Sequence, residues 1–157
     1  MDRKSHPIIY GGSIRSATCP EDDSRFLGCR ADGCNSRVKD KVIIVTGANS
    51  PQGIGRAAAH LFAQNGAKAV YICDFNTQNL ETHKREINSL YPDALIHTQQ
   101  IDAGKEADVE GVVNQALSKY GRLDVFFANA GISITTERVT EASPEKFMKT
   151  METNALR

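Results

Sequence analysis

The sequence has little that would commit it to a charged partner, a membrane or a metal. It has no net charge, since 19 Lys and Arg balance 19 Asp and Glu, so no global field draws it to nucleic acid or an anionic membrane surface. No apolar run approaches the ~18 residues of a membrane-spanning helix. In the opening "MDRKSHPIIYGGSIRSA" the apolar "PIIY" is broken at once by glycines, which leaves no signal-peptide core. Asp2, Glu21, Asp22 and Asp23 depart from the acid-poor composition of a transit peptide, and the cytoplasm is the compartment expected. Paired cysteine knuckles are also missing. Cys29 and Cys34 lie near each other in sequence, with His6 and Cys19 upstream, but no C-x-x-C pair fixes a tetrahedron. No metal site is expected. Cys73 ends an apolar run and reads as a small buried residue.

What is there divides in two. Residues 1–36 are rich in Gly, Ser, Asp, Arg and Cys, with "GGS", "CPEDDS" and "ADGCNS" and neither helical nor strand period. Such a stretch buries too little apolar surface to offset its ordering entropy and reads as a flexible extension. From residue 37 onward strand and helix signals alternate. "KVIIV" is continuously apolar and β-branched, as suits a strand covered on both faces. "GRAAAHLFAQNG" places Ile54, Ala58, Leu61 and Phe62 on one stripe and stops at Asn65-Gly66. "AVYIC" is a second strand. "NTQNLETHKREINSLYP" sets Leu80, Ile87 and Leu90 on one face and ends before Pro92. "ALIHTQQ" is a third, more polar strand, placed near an edge. "KEADVEGVVNQALSKYG" aligns Val109, Val112, Val113, Ala116, Leu117 and Tyr120, and "LDVFFANA" is a fourth strand. Ser143 caps a last helix with Pro144 in its first turn and Phe147, Met151 and Ala155 along one side. The order β-α-β-α-β-α-β-α predicts an α/β fold: a Rossmann-like, doubly wound parallel sheet with right-handed crossovers.

In such a sheet ligands sit beyond the carboxyl ends of the strands, where strand order reverses. The loop "TGANSPQGIG" after the first strand faces that crevice. Gly47 allows a tight exit, Gly53 a close approach of backbone to phosphate, and Gly55 close packing of the helix start. The first amides and the positive helix end then favour a pyrophosphate. An ordinary strand-to-helix turn would use the same glycines. Asp74 weighs against that. It ends the second strand nineteen residues after Gly55, near the ~20-residue spacing to an acid that bonds an adenosine ribose. A carboxylate there repels a 2′-phosphate, and Phe75 follows rather than Arg or Lys, so NAD(H) is favoured over NADP(H). Asp74 could instead only open the turn "DFN". No "GK[ST]" follows the glycines, which excludes a P-loop. A methyltransferase, with its own glycine loop and acid, remains a rival at this point.

With "ANAGI" after the fourth strand, Asp102 in "QIDAG" after the third and Asn154 in "METNAL", the loop makes the chain resemble the short-chain dehydrogenase/reductase family, whose patterns are TGxxxGxG and NNAG. The resemblance runs from about Val38 to the end of the chain and tells against the methyltransferase. It implies that Gly47, Ser50, Gly53, Ile54 and Gly55 line the pyrophosphate and adenosine side of a nicotinamide dinucleotide. It gives Asp74 the ribose and Asp102 the adenine edge. Asn129, Ala130 and Gly131 become a floor beneath the ribose, Ile132 faces the nicotinamide end, and Thr46 ties the glycine loop to "NAG".

The chain also departs from the family. Five residues separate Gly47 from Gly53 where the family usually has three, so a bulge containing Pro51 must project outward. Ala128 replaces the motif's first Asn. The family's Tyr-x-x-x-Lys pair and Ser do not occur: Tyr10, Tyr71, Tyr91 and Tyr120 are followed four residues later by Ile14, Phe75, Leu95 and Asp124. No catalytic set is therefore complete, and Asn154, which matches the family's helix asparagine, reads as a plain helix residue. The expectation is the cofactor half of an alcohol/ketone oxidoreductase, truncated after the fourth strand and following helix and inactive alone. The alternative is a non-enzymatic fragment that binds a nucleotide. Its apolar edge strand would then pair with another copy or with a full-length relative.

Overall fold

A computed structural model describes residues 37–133, 138, 140–141 and 143–155. The expected extension at residues 1–36 lies outside them, as do Cys19, Cys29, Cys34 and His6. The described elements are β1 (Val42–Thr46), α1 (Ile54–Gln64), β2 (Ala69–Asp74), α2 (Leu80–Leu90), β3 (Leu95–Gln100), α3 (Glu106–Tyr120), β4 (Val125–Phe127) and α4 (Pro144–Asn154). The four strands form one sheet in the order β3-β2-β1-β4, every pair parallel. This is the expected doubly wound α/β architecture.

The continuous apolar run of β1 follows from its place in the middle. Ile43 and Val45 join Val70 and Ile72 of β2 against Ala59 and Ala63 of α1 and Leu80 and Ile87 of α2. Val42 and Ile44, pointing the other way, join Ala69, Tyr71 and Cys73 against Val112 and Ala116 of α3. Each fully buried Val or Ile contributes about 1.5–3 kcal/mol of transfer free energy. Strand β3 lies at an edge, as its polar composition implied, and β4 ends the sheet on the other side.

Helix faces differ from expectation in three places, the simplest being α3, where Val112 and Ala116 are buried but Leu117 is exposed. In α1 the buried residues are Gly55, Ala59 and Ala63, whereas Ile54 is 71% and Leu61 56% exposed. Small residues let the helix axis approach the sheet, so the stripe of least volume is the buried one. In α2 the buried face is Leu80, His83 and Ile87, with Leu90 exposed. The Ser143 cap is present: its hydroxyl accepts from the Lys146 amide at 3.3 Å. None of the residues of α4 is buried, and Phe147, Met148 and Met151 are exposed.

Candidate functional site

Because all four strands run the same way, their carboxyl ends share one rim. The reversal of strand order falls between β1 and β4, so the loops after those strands flank the crevice.

The loop after β1 is shaped by contacts that exclude a side chain. Gly47 has φ +70°, a left-handed conformation suited to glycine. A Cβ at Gly47 would lie 2.8 Å from the Cα of Ala130, and one at Gly55 would lie 2.4 Å from the Gly47 carbonyl oxygen. The extra residues form a turn closed by the Gly53 amide donating to the Ser50 carbonyl at 3.0 Å. Pro51 takes the position that its fixed φ suits. Ser50, Pro51 and Gln52 are exposed, so the bulge does project outward. At Gly53 a Cβ would meet the Cβ of Ser50 at 2.8 Å; closure of the turn itself demands this glycine. The first helical bond of α1 runs from the Ala57 amide to the Gly53 carbonyl at 3.2 Å. The amides of Ile54, Gly55 and Arg56 precede it and have no acceptor in their own helix. This cradle suits an anion.

Thr46 joins that loop to the segment after β4. Its hydroxyl oxygen accepts from the amides of Asn129 and Ala130, each at 3.0 Å. The Asn129 side-chain amide donates to the carbonyls of Thr46 at 3.0 Å and Gly47 at 3.2 Å. The expected tie between the two motifs is thus built from both sides. Asn154 is more than a plain helix residue. Its Oδ1 accepts from the Ile132 amide at 2.9 Å and its Nδ2 donates to the Ile132 carbonyl at 2.8 Å, which pins the end of the "ANAGI" segment to α4.

Asp74 stands at the mouth of β2, partly exposed. Its Oδ2 accepts from the Asn49 amide at 2.9 Å and its Oδ1 from the Asn76 amide at 3.0 Å. A carboxylate has about four acceptor positions, so each oxygen keeps capacity for a ligand hydroxyl. Phe75 beside it is exposed. Asp102 follows β3; its Oδ1 accepts from the Gly104 amide at 3.0 Å, and its own amide donates to Asp108 of α3 at 2.8 Å.

Sequence reading missed the residues gathered around Asn49, whose amide bonds Asp74. The Asn49 side-chain oxygen accepts from the Asn79 amide at 2.8 Å, and its carbonyl accepts from Asn79 Nδ2 at 3.2 Å. His83 Nε2 lies 3.0 Å from the same carbonyl. The spacing of Leu80, His83 and Ile87 is that of a buried helix stripe and could have singled out the histidine. Nothing in local pattern marks Asn49.

Among the described residues no group of three or more His, Cys, Asp or Glu could hold a metal ion, and no helix is long and apolar enough to cross a membrane.

Residues 41–156 match the family model described as short chain dehydrogenase. The chain is 35% identical over 127 residues to short chain aldehyde dehydrogenase 1 of Euphorbia lathyris, covering 80% of this chain and 42% of that one. It is 38% identical over 114 residues to levodione reductase of Leifsonia aquatica, covering 71% and 42%. Its fold matches the crystal structure of 3-ketoacyl-(acyl-carrier-protein) reductase from Brucella melitensis complexed with NADH. That match has a TM-score of 0.62 at 36% identity and covers 75% of this chain and 45% of that one. The chain spans less than half the length of these relatives.

Proposed function

Since the chain belongs to the short chain dehydrogenase family, we propose that residues 41–133 bind a nicotinamide dinucleotide, NAD(H) in preference to NADP(H). In this reading the polypeptide does not turn over a carbonyl substrate by itself. The observation that carries the proposal is the pairing of the Thr46 and Asn129 bonds with the glycine elbow, beside a carboxylate whose oxygens keep acceptor capacity. The amides opening α1 would take the pyrophosphate, and Asp74 would accept from the adenosine ribose hydroxyls. Asp102 would face the adenine edge, and the Asn129–Gly131 backbone would lie under the ribose. A 2′-phosphate would meet the Asp74 carboxylate, and like charges at that range disfavour it.

The nicotinamide ring supplies hydride chemistry when bound, but acid–base groups must serve the substrate oxygen. No tyrosine here is followed four residues later by lysine. Positioned acid–base catalysis contributes ~10²–10⁴-fold, which supports binding without turnover. The parent reaction is alcohol/ketone interconversion.

Calorimetry with NADH and NADPH tests the binding. NADH should bind about tenfold or more tightly than NADPH, the ratio that some 1.4 kcal/mol of repulsion gives. Asp74→Ser should narrow the gap. Heat from neither dinucleotide overturns the reading, equal affinities overturn the preference, and ketone reduction by this polypeptide overturns the inactivity. A second reading, a non-enzymatic fragment that pairs with another chain, draws on the exposed Phe126 of β4 and the exposed Phe147, Met148 and Met151 of α4. Light scattering that gives a single monomer mass would count against it.

A further inference from the structure

The bulged loop and α2 meet through one residue, Asn49. Its N–H donates to Asp74 Oδ2 at 2.9 Å. Its carbonyl is approached by His83 Nε2 at 3.0 Å and by Asn79 Nδ2 at 3.2 Å. Its side-chain oxygen accepts from the Asn79 amide at 2.8 Å, satisfying one of the orphan donors at the start of α2. A carbonyl oxygen can only accept, so Nε2 is the donating nitrogen of the imidazole. The other nitrogen, Nδ1, is buried with no partner among the described residues, in a side chain only 4% exposed. Leu80 and Ile87 flank His83 on the buried face of α2, where an apolar side chain would be the ordinary occupant. An imidazole that leaves one nitrogen unsatisfied in a core, yet spends the other on a loop carbonyl, is placed for that bond.

We propose that His83 and Asn79 are positioning residues for the Asp74 carboxylate. By holding the Asn49 carbonyl and side-chain oxygen they fix the backbone of that residue on both sides of its Cα, which keeps its N–H on Asp74 Oδ2. The carboxylate is thereby held in one rotamer, with its free acceptor positions turned to the ribose side. The inference rests on the reading of this rim as a dinucleotide site, and it assigns to α2, through its bonds to Asn49, a share in choosing between ribose and 2′-phosphoribose.

His83→Phe keeps a ring in the core and removes the donor; His83→Gln restores a donor; Asn79→Ala removes the second donor from outside the core. Each is compared with the unaltered chain for NADH and NADPH affinity, for nicotinamide mononucleotide affinity, and for hydrogen exchange at the Asn49 amide without ligand. The expected result for His83→Phe is about three- to tenfold weaker NADH binding, the worth of one positioning hydrogen bond. It should come with a reduced NADH/NADPH ratio, unchanged mononucleotide binding and faster exchange at Asn49. His83→Gln should recover much of the ratio, which a purely space-filling role would not produce. Asn79→Ala should show the same changes in smaller measure, and it carries the test if the phenylalanine variant does not fold. Folded variants with the original ratio and the original Asn49 exchange overturn the inference. An unaltered chain that binds neither dinucleotide overturns the reading of the site instead, and the exchange measurement still decides whether α2 holds the backbone of Asn49.

Discussion

Thr46 is 2% exposed, and its hydroxyl oxygen takes both amides of the Asn129-Ala130 step. Valine has the same shape without the oxygen. Thr46→Val would leave two part-buried amide donors without that acceptor, each at about 1–2 kcal/mol, the lower part of the range for a buried donor. The expected loss of stability is therefore roughly 2–4 kcal/mol, read from the urea midpoint, with weaker NADH binding because the two loops separate. Thr46→Ser keeps the oxygen and should lose only about 1 kcal/mol for the methyl group. Equal losses for both substitutions would show that the methyl packing, and not the double acceptance, is what the site uses. This residue was legible in sequence because its partners lie in recognisable motifs at two strand ends. Asn49 and Asn79 were not, and the helical period marks His83 only as a member of the buried stripe of α2. Their bonds link positions 30 and 34 residues apart, and no period or spacing rule relates a loop carbonyl to a ring on a helix that packs beneath it.

At the scale of elements, strands were easier to read than helix faces. A β-branched run such as Val42–Thr46 declares itself because both of its faces are covered. The face of α1 was misread because period alone favours the large residues Ile54 and Leu61, whereas close approach to the sheet selects Gly55, Ala59 and Ala63. Strand β4 is short, and its attachment depends on Asp124 as well as on the ladder. The Asp124 amide donates to the Val42 carbonyl at 2.9 Å, and Oδ2 accepts from the Val42 amide at 2.9 Å. Arg122 and Lys41 close on the carboxylate from outside. The Arg122 guanidinium, then the Val42 amide and Lys41, hold the carboxyl well below the usual carboxylate range. A carboxyl whose folded pKa is depressed contributes stability that is complete above its unfolded value of about 4. That stability is lost as pH falls through the lower, folded value. The urea midpoint should thus decline from about pH 5 downward. Asp124→Asn keeps an acceptor for Val42 but loses the charge, so it should be less stable at neutral pH and show a flatter decline. A variant with the same slope as the unaltered chain would assign the acid sensitivity to other carboxylates, of which Glu86, paired with Arg56, is the first to examine.

For the molecule as a whole, the central strands report on global opening through Cys73. This residue is fully buried on the α3 side of the sheet, next to the Asp74 rim. Burial, and secondarily the Asp74 charge, pushes its thiol up to about 12, so at pH 8 the reactive thiolate is rare even apart from access. Alkylation must then wait until α3 lifts from the sheet and uncovers the thiol, which opens one of the two cores. The expected outcome is that iodoacetamide labels the Cys73 peptide, read by mass spectrometry, at a rate that follows global unfolding as urea is raised. A ligand that binds only the folded chain adds RT ln(1 + [L]/Kd), about 2.7 kcal/mol at a hundredfold excess over Kd. NADH at that excess should slow Cys73 labelling by about a hundredfold when opening is in fast equilibrium, and NADPH at the same concentration should slow it much less. Labelling that is rapid in native buffer would mean that α3 lifts away alone and that helix and sheet are not one cooperative unit. Slow labelling that neither dinucleotide changes would leave the sheet intact as a unit and remove the rim at Asp74 as its nucleotide site.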